Sequence, residues 1–388
     1  MPLAGALESD RPIRVFIQLG RGFGAREWEK RWTKGAIPGI NERLPYGYYH
    51  AADSSFRIDY SEDHAEMWPS KVVRLGLRRL LGFDLVHAWR NRTMILGADA
   101  VWTHTEFEHL AVLALLRRFR FGPKPRVIAQ SIWLFDRWRG LSTTKRWLYR
   151  TLLKHADVLT VQSPANLMVL RRLLPRIRSE LVLYGSDISD LRPATLRNAH
   201  SPTRIVALGN DMHRDWNTLI AAVDGWPGCE VRIGSTRLGW QRLAGKQVSI
   251  VPVRSAREAK DLYAWGEIAV VPLERNLHAS GITVISEAIV SGLPVVCTRT
   301  GGLSAYFSDQ EVRYVPPEDP EAMRCALKEL AANDELRFVI AEKAQKRILA
   351  ADLSSRARAL RLRKLTEELL AGRSSNARQD SHAAGSLA

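Results

Sequence analysis

The segment from His278 to Gly302, HASGITVISEAIVSGLPVVCTRTGG, carries the clearest chemical pattern in this chain. Small residues run directly into a helical stretch. The backbone N–H groups of Ser280, Gly281, Ile282 and Thr283 and the positive end of the helix dipole therefore aim at one point, which favours an anion such as a diphosphate. Gly281 permits close approach of the backbone to that anion. Glu287 follows about one and a half turns later, where a carboxylate would hold the hydroxyls of a ribose. Upstream, the run ALGNDMHRDWNTLIAA adds Asn210 and Arg214, and a guanidinium pairs with a diphosphate through its fork geometry. Together these features suggest a nucleotide-sugar site.

Stepping outward, the elements that must hold these residues alternate. Ile13–Leu19 reads as a first strand, followed by the glycine-rich run GRGFGAR. Further strands are expected at 84–88, 100–104, 127–131 and 158–162, with helices at 71–81, 106–119 and 164–174, while residues 27–65 read as irregular. After the turn-rich stretch TLRNAHSPTR, read as a linker, the alternation restarts. Strands are expected at 205–208, 230–233, 249–253, 268–272 and 295–298, and helices at 216–223 and 256–265. Short apolar strands alternating with amphipathic helices give parallel sheets covered on both faces. The expectation is an α/β protein of two Rossmann-like domains, residues 1–190 and 191–371, facing across a cleft, with a disordered polar tail at 372–388. Ligands of such sheets bind beyond the carboxyl ends of the strands.

The segment containing Ser280–Thr283, Glu287 and Gly-Leu-Pro-Val-Val resembles the signature of the retaining GT-B glycosyltransferases, the GT4 family. Their pattern is an acid, seven residues, a second acid, a helix, and a strand leading to Gly-Gly. Glu287 stands at the second acid and Ala279 at the first. Asn210 replaces the usual Arg of the upstream motif, and Arg214 falls where a Lys belongs. The resemblance runs from about 180 to 350, and the first half matches mainly in layout.

It implies a donor domain in the second half. There Asn210, Arg214, Ser280, Gly281, Ile282, Thr283 and Glu287 bind a nucleoside diphosphate sugar. In the first half the resemblance turns Gly22 and Gly24 toward the donor phosphates, with Arg21 and Arg26 in reach, although their spacing is not a dinucleotide fingerprint. Asp136, the only acid in QSIWLFDRW, is placed on the acceptor side as a candidate catalytic group, with pairing to Arg137 or Arg139 as its alternative. His104 ends a strand facing the cleft and is a second catalytic candidate, its alternative being a hydrogen-bonded core histidine. The resemblance also implies a retaining hexosyltransferase using front-face attack, with a glycan or lipid-linked acceptor and a place in exopolysaccharide or envelope glycan assembly. No cofactor is expected. The chain lacks an Asp-x-Asp motif and zinc-ligand spacing, so no metal is expected either.

Composition bounds these readings. The 388 residues are 46% hydrophobic and 25% charged, as in globular proteins large enough for two cores. No apolar run reaches the length of a membrane span and no secretory leader is evident. The three cysteines lie far apart, which suits a reducing, cytoplasmic setting. The net charge is +16, and residues 1–190 hold 30 Lys and Arg against 19 Asp and Glu. Such a surface attracts polyanions. The segment TTKRWLYRTLLKH at 143–155 suits an interfacial helix on an anionic membrane, its alternative being an ordinary amphipathic helix with solvated cations. Nucleic acid is not the expected partner. The rival from another class is a non-catalytic sugar-nucleotide-binding protein, which would explain Ala279.

Overall fold

Two six-stranded sheets, each wholly parallel, form the frame. The computed structural model describes residues 11–119, 122–196, 198–236 and 247–385. In the first sheet β1 (Ile13–Gln18), β2 (Phe56–Tyr60), β3 (Ala100–Thr103), β4 (Arg126–Ser131), β5 (Val158–Val161) and β6 (Ser179–Leu181) lie in the order β2-β1-β3-β4-β5-β6. In the second, β7 (Thr203–Leu208), β8 (Cys229–Gly234), β9 (Val248–Val251), β10 (Ile268–Val271), β11 (Val295–Thr298) and β12 (Arg313–Val315) lie in the order β12-β11-β10-β7-β8-β9. β3, β5, β10 and β11 are buried along their whole lengths, as strands covered on both faces must be.

Each sheet reverses direction of growth once. In the first sheet the reversal falls between β1 and β3, and in the second between β7 and β10. At such a switch point the loops after adjacent strands diverge to opposite faces and leave a crevice. The covering helices start on local signals. Thr105 and Glu108 form a capping box before Glu106–Arg118, Ser255 and Glu258 another before Ala256–Trp265, and Asp215 accepts from Thr218 N–H before Trp216–Val223. These bonds satisfy amides that a helix start leaves unpaired.

Several expectations are corrected. The run at 84–88 forms the helix Leu85–Arg90, because the Asp84 carboxylate accepts from the His87 amide and caps it. The stretch 27–65 is ordered. It holds a helix at Ala25–Thr33, a short 3-10 turn at Pro45–Ala51, and the edge strand β2. The second domain does not keep the chain to residue 371. Its last helix, Ser355–Gly385, crosses back, and Ala359, Leu362 and Leu365 complete the core beneath β1, β3 and β5. The Trp102 indole N–H donates to Thr366 Oγ1 at 2.9 Å across that contact. The tail is helical to Gly385, consistent with a stretch that has Ala, Arg and Gln and no proline. The last three residues of the expected disordered tail lie outside the described residues.

Candidate functional site

A cleft of about 490 Å³ opens between the carboxyl edges of the two sheets, and both switch points look into it. From the first domain come Gly20, Arg21 and Phe23 after β1, Tyr46, and His104, Thr105 and Glu108 after β3. From the second come Asn210, Asp211 and Arg214 after β7, then His278 and the loop Ala279–Thr283 after β10.

The second-domain wall is built around an unusual start to the helix Ile282–Val290. Gly281 caps it with φ 82° and Ala279 holds φ 55°. This left-handed geometry turns the loop tightly over the helix end. The helix is buried at every residue but Thr283, so its N-terminus is fixed by the core. Arg214 is 8% exposed beside this loop, with Nη1 3.5 Å from Ser280 Oγ and its Nε buried without a partner. Burial lowers its pKa, opposed by the nearby Asp211 charge. An unspent guanidinium N–H at a helix N-terminus is a ready site for an anion.

Next to it lies a constellation that spans the domains. Asp136, in the short helix Leu134–Arg137 after β4, accepts from Leu277 N–H at 2.7 Å and from His278 Nδ1 at 3.0 Å. His278 Nε2 points toward Asp211, 3.7 Å away. Asp211 accepts from Ser280 Oγ at 2.5 Å and lies 3.4 Å from His213 Nδ1. Burial alone would lower the His278 pKa, but the two carboxylates outweigh it and raise it. For Asp211, burial works the other way and would raise its pKa. Bonds from His213, His278 and Ser280 nevertheless hold it well below the usual carboxylate range.

Asn210, Arg214, Ser280, Gly281, Ile282, Thr283 and His104 all line one cleft. Other candidates are placed differently. Gly22 and Gly24 are absent from the cleft wall, and their amides donate to the Asp63 carboxylate at 3.0–3.3 Å. Arg21 reaches His64 carbonyl oxygen, and Arg26 pairs with Glu62.

Glu287 is also out of the wall. Its Oε1 accepts from Ile40 N–H and its Oε2 from the Tyr263 hydroxyl, each at 2.9 Å. Burial pushes its pKa up to about 7. The Gly39–Ile40 segment of the first domain thus sits where a ribose was expected. Asp136 engages neither Arg137 nor Arg139 by any ion pair among the described residues; it engages the loop of the other domain instead. His104 is buried and stacked on Tyr46 with centroids 3.6 Å apart, and its Nδ1 lies 2.8 Å from the Tyr48 hydroxyl. Burial and the Arg358 charge hold it neutral.

Sequence reasoning missed Asp211, His278 and Glu108. His278 opens the signature segment and Asp211 sits three residues before Arg214, so proximity to those motifs was the available signal. Glu108 lines the cleft with its carboxyl pKa pushed up to about 7 by burial.

Two doubly wound sheets with a ligand cleft between their facing edges define a GT-B protein. Residues 214–364 match the family model described as glycosyl transferase-like. The chain is 25% identical over 301 residues to the D-inositol 3-phosphate glycosyltransferase of Corynebacterium urealyticum, covering 68% of this chain and 66% of that relative, just under two thirds. Among solved structures, sucrose-phosphate synthase from Thermosynechococcus elongatus superposes with a TM-score of 0.69 at 18% identity, over 92% of this chain and 100% of that one. HepE of Anabaena, solved in complex with UDP and glucose, gives 0.63 at 13% identity, over 91% and 99%. At these identities the structural likenesses establish the fold.

Proposed function

We propose that the protein is a glycosyltransferase that moves a sugar from a nucleoside diphosphate sugar to a glycan or lipid-linked acceptor, with retention. The observation that carries this reading is the buried Arg214 beside the Gly281-capped helix, both aimed into a cleft between two sheet edges. The donor diphosphate lies against Arg214 and the amides of Ser280–Thr283. As the glycosidic bond breaks, negative charge grows on the leaving diphosphate. Groups already oriented toward it stabilise that charge without reorganising, which lowers the barrier. Retention rests on the family, whose members transfer the sugar by front-face attack, the leaving phosphate taking the acceptor's proton. Binding of UDP and glucose by HepE favours UDP as the first donor nucleotide to examine.

A membrane-bound acceptor, and with it a role in envelope or exopolysaccharide assembly, is supported by a surface other than the one expected. The segment 143–155 buries Tyr149, Leu152 and Leu153. The helix Trp68–Leu81 is turned inside out. Arg74 is its buried residue, paired with Glu66 and Asp84, while Trp68 and Leu80 are 76% and 70% exposed among Lys71, Arg78 and Arg79. Cations beside an exposed apolar face suit the surface of an anionic bilayer. No helix among the described residues is long and apolar enough to cross a membrane. Vesicles rich in anionic lipid should bind the wild type several-fold better than Trp68→Ser with Leu80→Ser. Equal binding would remove this part of the reading.

The core test is thermal unfolding against a panel of UDP, GDP, ADP and their sugars, since a ligand of the native state raises the melting temperature. The proposal expects one base family to shift the melt and its sugar to be consumed with a glycan acceptor. A shift without transfer or hydrolysis would leave a sugar-nucleotide-binding protein. No shift in folded protein would overturn the donor site.

A further inference from the structure

We propose, resting on the glycosyltransferase reading above, that Gln18 and His87 read two neighbouring hydroxyl groups of the acceptor, a polyhydroxylated ring, and so determine which acceptor the protein takes. Gln18 ends β1, and His87 lies in the helix Leu85–Arg90. Both line the cleft, where they are 1% and 2% exposed. The anion-binding groups, Arg214 and the loop Ala279–Thr283, belong to the opposite wall, from the second domain. The first-domain wall is therefore the one left to face the acceptor.

One carbonyl oxygen fixes the state of both side chains. The Leu19 carbonyl oxygen lies 3.0 Å from Gln18 Nε2 and 3.1 Å from His87 Nε2. A carbonyl only accepts, so Gln18 turns its amide nitrogen toward it and the His87 proton sits on Nε2. Burial lowers the His87 pKa against the opposing Asp63 and Asp84 charges, which keeps the ring neutral. What remains is Gln18 Oε1 and His87 Nδ1, two buried acceptors that no donor among the described residues reaches. Both belong to side chains anchored on the same oxygen, so they form one patch.

A patch of two acceptors selects its ligand by elimination. A fully ionised carboxylate or phosphate brings no proton and meets only lone pairs. A hydrocarbon leaves both atoms unpaired, which buried polar atoms normally avoid. An ammonium would donate, but Arg78 on the same wall has no ion-pair partner among the described residues and repels cations. Neighbouring hydroxyls on one ring supply two neutral O–H donors at short spacing, and they answer both atoms at once.

The test uses free sugars and needs no turnover, so its outcome is separate from that of the donor reading, whose failure shows as no melting shift with any nucleotide. Methyl glucoside, methyl mannoside, methyl galactoside and myo-inositol are titrated onto the full-length protein, with and without UDP, by saturation-transfer NMR. The tightest is then compared with its single deoxyfluoro analogues. Fluorine fills the place of a hydroxyl and cannot donate. The expected result is two neighbouring positions at which fluorine weakens binding at least about tenfold, with little change elsewhere. His87→Gln retains an N–H for Leu19 and loses the acceptor at Nδ1, while Gln18→Leu loses Oε1. Each should stay folded by circular dichroism and abolish the discrimination at one of the two positions, which a purely structural role would leave intact. Undiminished discrimination in both variants, or no saturable binding of any of the sugars, would overturn the proposal. Variants that weaken UDP-glucose instead would move these atoms to the donor and overturn it too.

Discussion

The two switch points share a topology and differ in the kind of polar group they leave unspent. At the first, between β1 and β3, Gln18 Oε1 and His87 Nδ1 are buried without partners, while the loop groups are matched. Gly22 and Gly24 amides go to Asp63, His104 to Tyr48 and Tyr46, and Thr105 to Glu108. At the second, between β7 and β10, the Arg214 guanidinium has Nε buried without a partner, and His278 Nε2 faces the Asp211 carboxylate at 3.7 Å. Buried polar atoms are normally satisfied, because leaving one unpaired costs about 1–3 kcal/mol. Both edges carry such atoms, and at the second they include one on a buried guanidinium. The same fold thus sets Gln18 and His87 at one edge and a buried guanidinium at the other.

The comparison breaks most easily at Gly281. A Cβ there would stand 2.7 Å from Val271 and 3.1 Å from Arg214 Nη1, on a backbone at φ 82°. Gly281→Val should cost at least about a hundredfold in nucleoside diphosphate affinity, about 2.7 kcal/mol, by calorimetry. Retained affinity would move the anion site elsewhere. Arg214→Ala should lose about ten- to a hundredfold, and Arg214→Lys less, since the ammonium keeps charge without the fork.

Glu287 sharpens the contrast through pH. Its folded pKa is raised from 4.5 to about 7, chiefly by burial and against the opposing effects of the Ile40 amide, Tyr263 and Arg214. A raised carboxyl favours the native state below the unfolded pKa, and that contribution disappears as pH climbs through 7. Glu287→Gln should therefore stabilise the fold at pH 8 relative to pH 5, by about 3 kcal/mol at most, in urea unfolding. A gap between variant and wild type that is equal at both pH values would mean the carboxylate is charged throughout.

The smallest effect belongs to the first edge. Gly22 has φ 95° with nothing within 4 Å of an added Cβ. Gly22→Ala should cost only about 1–2 kcal/mol of stability and leave nucleotide affinity unchanged.

Much of the fold was legible because the strands of a doubly covered sheet are continuous apolar runs. Val295–Thr298, Trp216–Val223 and Ala256–Trp265 stand where the pattern placed them. The strand expected at 84–88 failed because a run of only three apolar residues, Leu85, Val86 and Ala88, fits either state, and a single Asp84 cap decided it. The loop Ala279–Thr283 was legible because helix start and glycine are local signals. The Asp136–His278–Asp211 constellation was not, since residues 136, 211 and 278 meet only when two domains face each other. Nor was the fate of Gly22 and Gly24, whose amides are claimed by Asp63 some forty residues away. Glu287 shows the same limit: its motif position is local, but its cover, Ile40, comes from the other domain.

The returning C-terminal helix imposes an order on biosynthesis. Trp102, Tyr48 and Val158 share a core with Ala359, Leu362 and Leu365, and Arg358 lies over the Tyr48 ring at 4.6 Å. Chains generally mature from the N-terminus as they leave the ribosome, yet here the first domain lacks one side of its interior until nearly the whole polypeptide has emerged. A nascent chain must present an unfinished apolar surface throughout synthesis of its second half. Truncated products that stop before residue 355 keep that surface exposed, so this helix acts as a seal that only chains extending beyond residue 355 can apply.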